Sequence, residues 1–256
     1  MTNFWEHNFA AHVQQGKNIV DVTSRGAVNY LIFHLIAHAE LKTAIPHVES
    51  KNEIEQSIHS KKISFTILRP VSFMKNWAYS QQHIRAGIIV NPFSQATRMQ
   101  QISVVDIGGL TALVFSELGQ WLGRSLDIAS DEYTMKKMLN LFRDITQQPI
   151  NLLYMPWQEH EKAQRKDTAM IDRWVNEKAY HGDIKAVRQE LPNMLKLKDY
   201  LQEPGVIGIH TIKKPGSYRP TGLFIEPVKN QKLADNSQRH SLWLNTQVCR
   251  RWHEVG

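Results

Sequence analysis

Residues 63–76 read Ile63-Ser64-Phe65-Thr66-Ile67-Leu68-Arg69-Pro70-Val71-Ser72-Phe73-Met74-Lys75-Asn76. The run Ile63 to Leu68 is rich in apolar and β-branched residues, the pattern of a strand. Arg69-Pro70 ends it, because proline has no N–H to give to a sheet. A helix is expected to start near Ser72. Upstream, Val28 to Ile36 repeats the apolar strand pattern, and Ser50 to Ser60, with Glu53 and Glu55 near its start, reads as the helix between. Strand, helix, strand at this spacing is a crossover joining parallel neighbours.

The alternation continues in both directions. Glu6 to Arg25 reads as a helix, with Val13, Ile19 and Val20 on one side and Gly26 as its C-terminal cap. Beyond residue 76, Gln101 to Val104 reads as a strand and Asp106 to Glu117 as a helix, with Asp106 as its N-cap. Leu126 to Ala129 is a further strand. Asp131 is expected to cap a helix over Glu132 to Asp144, and Ile150 to Tyr154 is the last clear strand. Residues 157–202 read as helical, broken at Gly182-Asp183 and at Pro192. His160-Glu161-Lys162 with Arg165-Lys166-Asp167 reads as a solvated face, and Ile171, Trp174 and Val175 as core or partner contacts. The expected class is α/β with a mostly parallel sheet and a helical C-terminal part.

After Gln202 the composition changes. Pro204, Pro215, Pro220 and Pro227 join Gly205, Gly208, Gly216 and Gly222, and eight Lys or Arg stand against four acids over 203–256. This stretch is expected to be a basic, poorly ordered tail. The domains are therefore 1–202, divided at residue 130 into a sheet portion and a helical portion 131–202, and the tail 203–256.

Composition narrows the function. The formal net charge is +7, unevenly spread with +4 of it in residues 203–256, but it forms no dense basic stripe. Direct nucleic-acid binding is not expected from it. No apolar run reaches the roughly 20 residues of a membrane span. The start resembles neither a signal nor a transit peptide. A soluble protein is expected, cytoplasmic or nuclear. Cys249 is the single cysteine, so no internal disulfide forms. His34 and His38 lie four apart on a strand, a spacing that does not converge ligands, and no metal site is expected. A nucleophile elbow is absent as well.

Several stretches together resemble the NmrA-like family, an atypical branch of the short-chain dehydrogenase/reductase superfamily with a Rossmann-like fold. They are Thr2-Asn3-Phe4-Trp5-Glu6, Gln15-Gly16-Lys17-Asn18-Ile19-Val20-Asp21, Pro46-His47-Val48-Glu49-Ser50-Lys51, Leu68 to Asn76, and Val105-Asp106-Ile107-Gly108. The resemblance covers residues 2–202. It implies NAD or NADP as cofactor. Thr2, Asn3 and Phe4 would lie near the cofactor, Lys51 would reach the nicotinamide ribose, and Phe73, Met74, Lys75 and Asn76 would wall the nicotinamide. It also implies a protein partner such as a transcription factor, bound through residues 131–202, with a homodimer left open.

The family opens with a strand, a glycine-rich turn that cradles the pyrophosphate, and a helix. None of the thirteen glycines here forms that pattern. By the resemblance, the first three strands and most of the fourth are absent. Dinucleotide binding is then expected to be weak or lost, and Val28 to Ile36 to be an uncovered edge prone to aggregation. Stability is expected to fall below that of a full-length relative. Related reductases place a Tyr one helical turn before the Lys as proton donor; His47 stands there, and the usual Ser is missing near His34 and Leu35. Three readings follow: a redox-sensing regulatory module without turnover, a reductase using Lys51 with His47 as acid, and a truncated product with partner binding only.

Overall fold

Strands are laid down where apolar runs can be covered from both sides, and in the computed structural model they form around β-strand Phe65–Pro70. Residues 4–207 are described, apart from the side chains of residues 5–7 and 27. In chain order the elements are α1 (Phe4–Val22), a π turn (Thr23–Ala27), β1 (Leu31–His34), α2 (Pro46–Ser60), β2 (Phe65–Pro70) and β3 (Ser72–Phe73). A 3-10 helix (Met74–Ser80) follows, then α3 (Gln81–Arg85), β4 (Ile88–Asn91), β5 (Arg98–Ile102), α4 (Val104–Ser116), α5 (Leu118–Trp121), β6 (Ser125–Ile128) and β7 (Asp131–Thr134). The C-terminal part is α6 (Met135–Thr146), β8 (Asn151–Tyr154), α7 (Trp157–Ala163), α8 (Lys166–Lys178), α9 (Ile184–Glu190) and α10 (Leu197–Leu201).

The central sheet has the order β1-β2-β6, all parallel, with Leu31 opposite Phe65 and Arg69 opposite Asp127. A second sheet, β3-β5-β7, carries the antiparallel pair β5–β7, and β4 pairs with β8 in parallel. Among the described residues β1 pairs only with β2, so its other edge has no strand beside it.

Each face of the central sheet has its own core. Phe33, Phe65 and Ile67 pack with Val20 of α1 and with Ile54 and Ile58 of α2. Leu68 and Ile128 pack on the other face with Leu110 and Val114 of α4, Trp121, Val175 and Val187. Ile171 and Trp174 are half-buried against this second core. Helices α1 and α2 approach closely at Gly16, where an added Cβ would lie 2.4 Å from Cγ1 of the fully buried Ile54. Gly16→Leu should therefore cost about 1–3 kcal/mol by overpacking, read as a lower urea midpoint; an unchanged midpoint would mean the helices can separate freely.

Several local expectations change. Helix α1 is kinked at Asn8, which holds φ at 75°. Helix α2 begins at Pro46 rather than Ser50, since proline is preorganised for the first helical turn. No α-helix starts at Ser72: Ser72 and Phe73 pair with Gln101 and Ile102, and a 3-10 turn follows. Asp131 does not cap α6, because residues 131–134 pair antiparallel with 98–101; Thr134 caps α6 instead by accepting from the Lys137 N–H at 3.2 Å, and the Asp131 carboxylate accepts from the Leu197 N–H at the start of α10 at 2.8 Å. His160 does not lie on a solvated face. It is buried and sits 2.8 Å from Asp172, which ties α7 to α8. Residues 203–207 are held by Gln81, whose Nε2 donates to the carbonyls of Gly205 and Val206, and by Arg85, which donates to that of Ile207. Residues 208–256, which contain most of the expected tail, lie outside the described residues.

Asp106 also changes role. Ser103 caps α4 by accepting from Val105 N–H at 3.1 Å. The buried Asp106 carboxylate instead accepts from the backbone N–H of Leu195, 89 residues away, at 3.1 Å. Burial pushes its pKa up to about 6, against the opposing pull of that bond and of Arg188. The folded pKa lies above the unfolded one, so its contribution is full at low pH and is lost as pH rises through about 6. Asp106→Asn, which keeps an acceptor, should gain roughly 1 kcal/mol in urea unfolding near pH 8, and a loss there would contradict this.

Candidate functional site

The start of α2 is fixed by a carboxylate. Glu49 Oε1 accepts from the backbone N–H of Thr43 at 2.7 Å, from Thr43 Oγ1 at 3.0 Å and from the backbone N–H of Ala44 at 2.9 Å. Ala44 takes a left-handed φ of 59°. This anchored corner presents His47 and, one turn later, Lys51 at the C-terminal side of β1.

Helix α1 brings two rings to the same place. Phe4 meets His47 edge-on with centroids 4.7 Å apart, and meets His12 at 5.7 Å. His12 and His47 lie nearly parallel with centroids 6.5 Å apart. All three are buried. Burial, followed by the field of the Lys51 ammonium, lowers the His12 pKa to about 4 and that of His47 to about 3, the latter with a further contribution from His12. Burial lowers Lys51 itself to about 8. At neutral pH both imidazoles are uncharged, and Lys51 is a cation close to its own titration. His12 Nδ1 has no hydrogen-bond partner among the described residues.

The remaining expected residues are distributed differently. Thr2 and Asn3 lie outside the described residues. Phe73 ends β3, Met74 is fully buried, and Lys75 and Asn76 are exposed on the first 3-10 turn, with Lys75 Nζ 5.5 Å from the Phe73 ring. His34 sits on the α4 side of the sheet, its Nε2 3.0 Å from Thr111 Oγ1. Leu35 packs in the core on the α2 side.

A second cluster at the same strand ends was not expected from sequence. Arg69 Nε donates to Glu55 Oε2 at 3.0 Å, and Arg69 also pairs through its terminal nitrogens with Glu55 Oε1, with Glu40 at 2.9 Å and with Asp127 at 3.4 Å. His38 Nδ1 lies 2.8 Å from Asp127, and His38 Nε2 accepts the backbone N–H of His181 at 3.0 Å. Ligand atoms of His38, Glu40 and Asp127 lie within 4.8 Å of one another. Arg69 already supplies the positive charge between the two carboxylates, and both His38 nitrogens are engaged, so the cluster works as an ion network that fastens the sheet to α2 and to the segment after α8. Beside it, a cavity of about 10 Å³ is lined by His38, Ile45, Val48, Ile171, Trp174 and Tyr180, room for about one water molecule.

The order of elements, the site at the carboxyl ends of parallel strands, and Lys51 one turn after His47 all agree with the resemblance in the sequence. The NmrA-like family model matches residues 1–202. The chain belongs to the NmrA-like family. Its fold is shared with a nucleoside-diphosphate-sugar epimerase from Staphylococcus aureus (TM-score 0.68, 12% identity, 79% of this chain and 75% of that one). It is also shared with the Citrobacter sp. triphenylmethane reductase complexed with NADP(H) (0.67, 14%, 77% and 73%). The negative transcriptional regulator NmrA in complex with NAD is a third such structure (0.61, 13%, 75% and 69%). At these identities the likeness is one of fold. No curated protein matches the sequence significantly.

Residues of this NmrA-like chain fit one end of a nicotinamide dinucleotide. A half-buried ammonium near buried aromatic rings, at the carboxyl ends of parallel strands, suits a ribose hydroxyl next to a flat heterocycle. The phosphate end has no such match among the described residues: no glycine there follows a strand and opens a helix in the spacing of a phosphate cradle. No described helix is long and apolar enough to cross a membrane.

Proposed function

We propose that this NmrA-like chain is a regulatory binding module that responds to the nicotinamide end of NAD or NADP without transferring hydride, and that residues 131–202 carry the response to a protein partner such as a transcription factor. The observation that carries this reading is the state of His47. It stands where related reductases keep their proton donor, yet burial and the Lys51 field hold it uncharged, with a pKa near 3. A general acid works best with a pKa near the operating pH, and a neutral imidazole keeps only one N–H, which is a very weak acid. Lys51 keeps a binding role, and Phe4 and His47 form an apolar wall beside it. The relation to NmrA, a negative transcriptional regulator, supports the regulatory reading.

One observation favours a reductase instead. Lys51, with its pKa lowered to about 8, is an acid near neutrality and could protonate a product. The readings part in one assay. The purified chain is incubated with NADPH and a quinone or triphenylmethane acceptor. The regulatory reading expects NADPH to be consumed no faster than in buffer. Consumption that rises with protein and disappears in Lys51→Met would replace it with the reductase reading.

A further inference from the structure

Residues 179–182, between α8 and α9, pass the carboxyl end of β6, where Gly182 lies against Asp127 and Ala129. Side chains hold them there, not a strand. The backbone N–H of His181 donates to His38 Nε2 at 3.0 Å. Gly182 exchanges two bonds with Gln100, giving its N–H to Oε1 at 2.9 Å and accepting from Nε2 at 3.0 Å. Tyr180 is buried and stacks on His38 with ring centroids 5.9 Å apart. The hold works against the backbone. Ala179 sits at φ 58° and ψ 169°, a combination that favours glycine, so a segment freed of its clamps gains by relaxing.

His38 holds His181 in one protonation state only. An imidazole nitrogen that accepts a hydrogen bond carries no proton. The single proton of His38 is therefore on Nδ1, which lies 2.8 Å from Asp127 Oδ2 and 3.8 Å from Glu40 Oε1. A second proton would go to Nε2 and turn that acceptor into a donor facing the His181 N–H. The surroundings invite it. Asp127 of β6 and Glu40 from the segment after β1 face the ring, with Arg69 of β2 between them and Glu55 of α2 behind it, three carboxylates against one guanidinium. The other neighbours are the rings of Tyr180, of His181 at 6.0 Å and of Trp174 from α8 at 5.5 Å. Burial resists the charge, but the Asp127 carboxylate and then Glu40 hold the His38 pKa above the ordinary histidine value. The bond to His181 and the neighbouring acids thus make opposite demands on one proton near neutral pH. We propose that His38 is a proton-operated latch: with one proton it fastens residues 179–182 to the sheet, and with two it pairs with Asp127 and Glu40 and lets the segment go. Release moves Tyr180 away from the cavity it lines with His38, Val48 and Trp174 and loosens the connection between α8 and α9.

Hydrogen exchange of the full chain tests this, read by mass spectrometry on peptides spanning 179–183 and 65–70 and corrected for the intrinsic effect of pH. Between about pH 8 and 6 the opening of 179–183 should rise about tenfold. Residues 65–70 should stay protected, which separates release of the segment from the acid unfolding expected of His12 and His47. His38→Gln keeps an acceptor but takes no charge, so its opening should not change with pH. Asp127→Asn removes the acid beside Nδ1 and should move the transition down by about one pH unit, a result that loss of packing does not imitate. Opening of 179–183 that ignores pH in the native chain, that 65–70 matches, that follows pH equally in His38→Gln, or that keeps its midpoint in Asp127→Asn would overturn the proposal.

Discussion

Acidification from pH 7 to about 4.5 should destabilise the protein by about 2–4 kcal/mol, with His12 and His47 as the main cause. Both are buried as neutral imidazoles with pKa values near 4 and 3, whereas the unfolded chain binds protons near pH 6.5. Below that value the unfolded state holds protons that the folded state refuses. The stability these groups allow is full above about pH 6.5 and is lost as pH falls toward their folded values. The total stays below the sum of two independent shifts because the rings face each other and Lys51, so they titrate as a unit. Asp106 acts in the opposite sense over part of this window, but it is a single group with a smaller shift. Urea unfolding at stepped pH is the measurement, with the His12→Phe, His47→Phe double variant expected to flatten the profile. An equally steep profile in that variant would show that the acid sensitivity comes from elsewhere.

Arg69→Ala should cost about 3–5 kcal/mol, the loss typical of removing one partner from a buried ion pair. Arg69 bridges Glu55, Glu40 and Asp127, and Glu55 is only 1% exposed. Without the guanidinium Glu55 keeps a buried charge with little to offset it, and His38 faces Asp127 alone. The damage comes from the stranded charge, so replacing both members with apolar residues, Arg69→Met with Glu55→Leu, should recover most of the loss. Equilibrium unfolding of the three variants checks it. A loss under about 1 kcal/mol for Arg69→Ala would place the cluster among solvated surface pairs.

Strands β1 and β2 and helix α2 were legible because a buried strand and an amphipathic helix write their burial into neighbouring residues. Readings failed where a distant segment decided the outcome. Ser72 and Phe73 look like a helix start and become a strand because Gln101 and Ile102 lie beside them. Asp131 has the chemistry of a cap, yet strand β5 recruits it. Asp106 has the same chemistry and is turned toward Leu195. Ile88–Asn91 becomes a strand only through its pairing with β8, some sixty residues on.

The site divides in the same way. His47 and Lys51 were found because they lie one helical turn apart inside a recognisable motif. His12 was not, since it comes to them on another helix, and its only local signal is an apolar neighbourhood around Val13. The network of His38, Glu40, Glu55, Arg69 and Asp127 is assembled from four separate segments. Arg69-Pro70 has the local look of a strand end, yet β2 runs on through Pro70, and an arginine inside an apolar run has to find a buried acid. That was the one signal available for the network.

The central claim is that Lys51 holds the nicotinamide end of a dinucleotide. Calorimetric titration of the full chain with NADPH, NADP, NADH and NAD, alongside Lys51→Ala, tests it most directly. The account expects binding to the native chain with a dissociation constant from micromolar to millimolar, roughly −8 to −4 kcal/mol, weakened about tenfold or more in Lys51→Ala. No heat of binding up to millimolar cofactor, or equal affinity in the variant, would contradict it and leave contact with other proteins as the function of this fold.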